Sequence, residues 1–217
     1  MPSGFMPGSA AAPAAATADD RRALRRTLLA RRRALPAGEW AAYSQRIRAL
    51  LREALPRLAT MRVGFCWPRD NEADLRPLIA DWHRHGEPGF MALLPVVLAA
   101  DSSLAFRAWS PTVAMTTDRY GIPVPASGEP VLPEALLIPL VGFDAAGFRL
   151  GYGGGYFDRT LASLRPRPLA IGVGFELSRL DWLHRQPHDQ PLDLIVTERG
   201  LHRCTATPAG NPAAMKP

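Results

Sequence analysis

The chain has 217 residues, 47% apolar and 21% charged, enough to bury one core of ordinary domain size, which excludes wholesale disorder. Lys and Arg number 26 against 20 Asp and Glu, a formal +6; seven arginines lie within residues 21–33, and removing them leaves 19 bases (26 less 7) against 20 acids. The basic character therefore belongs to one segment, and the single lysine, Lys216, excludes a P-loop, Schiff-base or nucleotidyl lysine unless the tail folds back over a site.

Residues 1–16 are Ala, Pro, Gly and Ser with a few others, and nothing there repays ordering entropy, so a disordered arm is expected. Thr17 with Asp20 reads as a capping box opening a helix to about Leu35, before Pro36. A second helix is expected from Gly38 to Leu55, where Trp40, Tyr43, Ile47, Leu50, Leu51 and Ala54 form a 3.6-residue stripe. Beyond Pro56 the pattern alternates. Arg62–Trp67 reads as a strand, Leu75, Leu78, Ile79 and Trp82 as a helix stripe, and Phe90–Val97 and Leu104–Trp109 as strands. Leu136–Val141 (LLIPLV) has the unbroken apolar character of a buried parallel strand. A glycine-rich loop, a helix over Tyr156–Leu164 and strands at Leu169–Val173 and Leu194–Thr197 follow, with a frayed tail expected from His202. This alternation predicts one α/β domain over residues 17–201: a three-layer sandwich with a mainly parallel sheet flanked by helices, and an N-terminal helical arm. Two cysteines, Cys66 and Cys204, cannot make a disulfide framework or a cysteine-rich zinc site, and they suit a reducing compartment. No apolar run approaches the roughly 18 residues of a membrane span, and the first residues lack the pattern of a secretory leader. A cytoplasmic monomer is expected.

Ligands of open α/β sheets sit beyond the carboxyl ends of the strands, which directs attention to the segment after LLIPLV. Gly151, Gly153, Gly154 and Gly155 fall within five residues directly before a helix, a composition that lets backbone N–H groups cradle an anion. The spacing is neither the dinucleotide fingerprint, since Tyr156 stands at the sixth place, nor a Walker A loop, since no Lys follows. Arg149 and Arg159 flank the cradle with permanent charge. Asp158, in the first helical turn, has a plain alternative role in complementing the macrodipole.

RLGYGGGYFDRTL closely resembles the signature of the 5-formyltetrahydrofolate cyclo-ligase family, also called methenyltetrahydrofolate synthetases. RRALRRTLLARRRAL resembles the family's opening helix, with Arg21 at its usual Lys and Arg25 at its Arg. NEADLRPLI, YGIPVP, PLVGFDAAGFRLG and HDQPLDLIVTE resemble further segments, so the likeness spans about Asp20 to Glu198. It implies a ligase that uses ATP and Mg²⁺ to close 5-formyltetrahydrofolate into 5,10-methenyltetrahydrofolate, releasing ADP and phosphate. It further implies that Arg21, Arg25 and the run Arg149, Leu150, Gly151, Tyr152, Gly153, Gly154, Gly155, Tyr156 and Phe157 hold ATP, with Arg149 and Arg159 as catalytic cations. Asp158 and Asp189 would serve the metal, and as two carboxylates awaiting a cation they should repel each other. Glu72 would accept the N–H donors of the pterin, with Trp67, Tyr120, Tyr152 and Tyr156 as folate walls. The sequence departs from the family at Arg21, at Phe157 where Tyr is common, at Tyr120 where some members have Trp, and at Gly154 where others have Lys. The partners implied are small molecules, with neither nucleic acid nor membrane. A nucleic-acid module built on residues 21–33 is disfavoured by the lack of aromatics there and the near-neutral remainder. A sugar-phosphate isomerase or CoA-transferase-like enzyme of similar architecture is the other alternative, separated by whether turnover requires ATP.

Overall fold

The computed structural model describes residues 18–85 and 88–205. Thr17 of the expected capping box, the arm 1–16 and residues 206–217 of the tail lie outside the described residues.

Helix α1 (Ala18–Arg33) carries Asp19 and Asp20 in its first turn and Arg31, Arg32 and Arg33 in its last, so both ends complement the macrodipole. Pro36 cannot continue it and instead precedes α2 (Ala37–Ala54), whose stripe buries Ile47 and Leu51 completely. A 3₁₀ turn (Pro56–Thr60) leads into strand β1 (Arg62–Gly64), then α3 (Arg76–His85), β2 (Met91–Val96) and β3 (Ala105–Trp109). The short strands β4 (Met115–Thr117) and β5 (Pro123–Pro125) precede β6 (Ala135–Pro139), β7 (Gly142–Phe143) and β8 (Arg149–Leu150). Helix α4 (Tyr156–Ser163), β9 (Leu169–Val173), a second 3₁₀ turn (Glu176–Ser178), β10 (Leu194–Thr197) and β11 (Gly200–Arg203) complete the order.

Seven strands form one sheet in the order β11-β10-β9-β6-β1-β2-β3, parallel from β10 to β2 and closed by antiparallel strands at both edges. Strand alternation divides the apolar residues between two faces. Ala135 and Leu137 of β6 join Ile47, Leu51, Leu78 and Ile79 under α2 and α3. Leu136 and Ile138 join Leu161 of α4 on the other face. The expected three-layer α/β sandwich is the fold observed.

Boundaries differ where local chemistry intervenes. β1 was expected to reach Trp67 but ends at Gly64. Phe65 still donates to the Leu93 carbonyl at 2.9 Å, after which Pro68 has no N–H to offer and Asp70 and Asn71 turn the chain with φ of +50° and +56°. β6 stops at Pro139; Leu140 still donates to the Val173 carbonyl at 3.1 Å, and Val141 of the LLIPLV run turns away to donate to the Leu150 carbonyl beside the β7–β8 hairpin. The chain does not fray at His202. It turns at Glu198–Arg199 and pairs Gly200–Arg203 with β10, so His202 and Arg203 belong to the sheet edge. Leu201 is the one large aliphatic residue of that strand, too weak a pattern to announce it.

The β7–β8 hairpin aims the glycine loop, and its tip is tightly specified. Asp144 accepts from Phe148 N at 3.0 Å and from Leu183 N at 3.2 Å. Gly147 sits at φ +96°, and a Cβ there would lie 2.6 Å from Cys204 Cβ and 3.0 Å from the Leu192 carbonyl oxygen. Gly147→Ala should therefore destabilise the protein by about 1–3 kcal/mol, from overpacking and an unfavourable φ. Urea denaturation, with unchanged m, is the measurement that checks it.

Candidate active site

A cleft of about 450 Å³ opens beyond the carboxyl ends of the central strands, where Trp67 follows β1, Pro95 lies in β2 and Pro139 ends β6. Its two ends differ in chemistry.

The first end is the glycine loop between β8 and α4. Gly151, Tyr152, Gly153, Gly154, Gly155, Tyr156 and Phe157 all line the cleft, as do Arg21, Arg25 and Arg149. Gly153 has φ +102°, a backbone conformation that favours glycine, and it packs against the Arg25 guanidinium of α1. Arg25 donates Nε–H to the Gly151 carbonyl at 2.6 Å. Burial, with Arg21 and Arg22 nearby, lowers its pKa, a sign of a cation held against like charge and open to an anion. Arg21 donates to the His184 carbonyl at 2.6 Å and to Asp189 at 3.1 Å. Leu150 does not line the cleft; it is fully buried in one cluster with Leu28.

The candidate metal carboxylates both line this end. Asp158 Oδ1 accepts from Arg149 Nη2 at 2.8 Å and from Gln190 N at 2.9 Å. Asp189 accepts from Arg21 and from Gln186 N at 2.8 Å. The expected repulsion between the two carboxylates is thus replaced by two ion pairs, because a guanidinium is bonded to each of them. Burial pulls the Arg149 pKa down, opposed by Asp158 and then by Asp189. Among the described residues no group of three or more His, Cys, Asp or Glu side chains is placed to hold a metal. Two carboxylates beside the glycine loop nonetheless suit Mg²⁺, which takes one or two carboxylates and completes its shell with phosphate oxygens and water.

Arg159 departs from expectation. It does not line the cleft but donates to the Gly154 carbonyl at 2.5 Å and the Ser102 carbonyl at 3.1 Å. These bonds brace the loop against the segment that follows β2.

The second end is built from the loop after β1. Glu72 is buried at 6% exposure and accepts from the Tyr152 hydroxyl at 2.7 Å and from Arg69 N at 3.1 Å. Burial is the dominant influence and raises its pKa, against Arg32, Tyr152 and Arg69, which lower it. Trp67 lines the cleft and meets Trp109 edge-on with centroids 6.4 Å apart. Tyr120, 48% exposed, shares a 2.7 Å hydrogen bond with the Tyr156 hydroxyl. All five expected folate-side residues line this one cleft.

Sequence reasoning missed Arg32. Its guanidinium is 3% exposed and donates to the Asp70 carbonyl at 2.8 Å, the Leu140 carbonyl at 2.8 Å and the Tyr152 hydroxyl at 2.5 Å, with Glu72 Oε1 at 3.8 Å. The available signal was spacing: Arg21, Arg25, Leu28 and Arg32 lie at i, i+4, i+7 and i+11, one helical face, whereas Arg22, Arg26, Arg31 and Arg33 are exposed. Arg69, whose guanidinium lies 5.2 Å from the Tyr152 ring centroid, also lines the cleft and had no sequence signal.

The model of the 5-formyltetrahydrofolate cyclo-ligase family matches residues 17–198. The chain belongs to that family. A 5-formyltetrahydrofolate cyclo-ligase of Mycoplasma pneumoniae is 29% identical over 180 residues, covering 82% of this chain and 99% of the relative. That of Escherichia coli K12 is 32% identical over 134 residues, covering 59% and 72%. Among solved structures, the Aquifex aeolicus 5,10-methenyltetrahydrofolate synthetase superposes with a TM-score of 0.73 at 26% identity, covering 90% of this chain and 96% of that one. The Mycoplasma pneumoniae 5,10-methenyltetrahydrofolate synthetase gives 0.63 at 26% identity, covering 82% and 99%. This cyclo-ligase family member is accordingly an enzyme of the ligase class with the α/β fold of those synthetases, and none of its described helices is long and apolar enough to cross a membrane.

Two stability outcomes follow from the site's electrostatics. Asp158→Asn leaves the buried Arg149 cation short of its bonded carboxylate, and should cost about 3–5 kcal/mol, with Asp189 holding it towards the lower figure; thermal and urea unfolding of the variant check this. An acid serving the macrodipole alone would cost about 0.3–1 kcal/mol. Glu72, with a folded-state pKa above its ordinary value, contributes stability that is full below the ordinary carboxylate range and is lost as pH rises through the folded pKa. Glu72→Gln should therefore gain stability relative to the wild type as pH rises from mildly acidic to neutral, measured as the difference between their urea midpoints.

Proposed function

We propose that this cyclo-ligase uses ATP to phosphorylate the formyl oxygen of 5-formyltetrahydrofolate, after which N10 closes the ring. A formyl carbon on nitrogen is a poor electrophile because its oxygen leaves poorly. Transfer of the γ-phosphoryl group to that oxygen releases ADP and makes the oxygen a leaving group. N10 then attacks the carbon, the C–O bond breaks with departure of inorganic phosphate, and the N10 proton goes to solvent, leaving 5,10-methenyltetrahydrofolate. Both steps join groups held side by side, so positioning and charge neutralisation carry the catalysis, and no nucleophilic Cys or Ser is needed.

The observation that carries this reading is one cleft with two complementary ends. Arg21, Arg25 and the N–H groups of the glycine loop offer cations and donors to a polyphosphate. Glu72, with Trp67 beside it in the lining, offers a buried acceptor and an aromatic wall to an aminopyrimidinone edge. Arg149 and Asp158 position α4 against the loop ending at Gln190, and Arg159 braces the cradle from outside the cleft. Mg²⁺ would be held by Asp158 and Asp189, where it would neutralise phosphate charge.

A spectrophotometric assay for methenyl-folate formation tests this. Product should form only when ATP, Mg²⁺ and 5-formyltetrahydrofolate are all supplied, and its absence from folded protein at saturating substrates would overturn the proposal. Within that assay Arg25→Ala should weaken ATP binding roughly 10–150-fold, the cost of a lost charged hydrogen bond. Arg33→Ala should change it little, because Arg33 is exposed and paired with Asp70 at 2.9 Å. Isothermal titration with a non-hydrolysable ATP analogue measures both.

A further inference from the structure

Helix α1 carries more than the phosphate-facing arginines. Arg32 lies 11 residues beyond Arg21 on the same face, about 16 Å along the axis at 1.5 Å per residue. There it reaches the folate end of the cleft rather than the phosphate end. Its guanidinium is one of the few buried charges in the protein, and its three bonds go to three separate elements: the Asp70 carbonyl, the Leu140 carbonyl after β6, and the Tyr152 hydroxyl in the glycine loop. Tyr152 in turn donates to Glu72, so a chain of hydrogen bonds runs from Arg32 through the phenol to the carboxylate.

From this geometry we infer that Arg32 is a positioning residue for the folate, setting its positive charge beside the Glu72 carboxyl and fixing the Tyr152 ring between them. The inference rests on the reading that Glu72 receives the pterin. The groups facing Glu72 are Arg32 from α1, Tyr152 from the glycine loop, and Arg69 and Cys66 from its own loop. Burial opposes ionisation of Glu72; Arg32 is the largest influence restoring it, and Cys66, whose own thiol burial pushes up, stays neutral. Tyr152 is likewise raised by burial and by Glu72, so the phenol keeps its proton and donates it to the carboxylate. A carboxylate that stayed protonated would offer one acceptor oxygen and a competing O–H to the paired donors of a pterin. Arg32 is the nearest cation that favours the ionised form against burial.

The test is steady-state kinetics of the full chain, with 5-formyltetrahydrofolate and ATP varied separately across pH. Arg32→Gln should raise the KM for 5-formyltetrahydrofolate at least about tenfold, the scale of a lost charge-assisted bond, and leave the KM for ATP within about twofold. The acidic limb of kcat/KM for the folate should move to higher pH, and Arg32→Lys should bring part of it back. A residue that only braced α1 would raise both KM values together and leave the limb in place, and that result overturns the inference. Should Arg32→Gln fail to fold, Tyr152→Phe, which deletes only the hydroxyl between the two charges, must raise the folate KM without changing that for ATP, or the inference is lost. Glu72→Gln separates the two levels. If it leaves the folate KM unchanged, the pterin site itself is misassigned. If it raises that KM while Arg32→Gln moves neither the KM nor the limb, only the role given to Arg32 fails.

Discussion

Helix α1 is docked by guanidinium groups, and the site exists because of that. Its fully buried aliphatic residue is Leu28, with Leu24 and Leu29 packed beside it, and the long-range polar attachment is led by Arg21 to the loop containing His184 and Asp189, Arg25 to Gly151, and Arg32 to three elements at once. A guanidinium suits this role because it stays charged when buried and presents five N–H donors in one plane, enough to satisfy backbone carbonyls and a carboxylate together. Desolvating such a group costs several kcal/mol unless its donors are matched. The carbonyls that match Arg21, Arg25 and Arg32 lie in four segments, at residues 70, 140, 151 and 184, so α1 ties together loops that the sheet alone would leave apart.

The same arithmetic explains why charge is so unevenly shared in the cleft. At the glycine-loop end Arg149–Asp158 and Arg21–Asp189 are paired, while Arg25 bonds only to a backbone carbonyl in the contacts seen, its pKa lowered by burial and then by its arginine neighbours. At the other end the carboxylate is buried with its partners already in place, so little reorganisation is asked of the protein when a ligand arrives. Asp158 illustrates how one residue carries two duties. It compensates the most buried cation of the loop and, through Gln190 N, fixes the segment that presents Asp189.

Much of this was legible in the chain itself. Alternating apolar runs and helical stripes determined the α/β class, and β9 and β10 begin and end where their apolar runs do, because a strand buried on both faces leaves no polar gap in its sequence. Glycine density before a helix pointed to a candidate anion cradle, and the family resemblance pointed to Glu72, Trp67, Tyr120 and the two carboxylates, all of which line the cleft. Short ladders such as β4–β5 and β7–β8 were not legible, since two or three residues carry no period, and β11 was hidden behind a polar stretch that pairs only because β10 offers an open edge. What only the tertiary structure decided is which side of each charged residue faces inward. Seven arginines in thirteen residues look alike in sequence, and Arg159 reads as well placed for catalysis as Arg149. Burial separates them. A cation enters the interior only where carbonyls and carboxylates from distant parts of the chain converge to replace its water, as they do around Arg32 and Arg149, and that convergence is a property of the assembled fold.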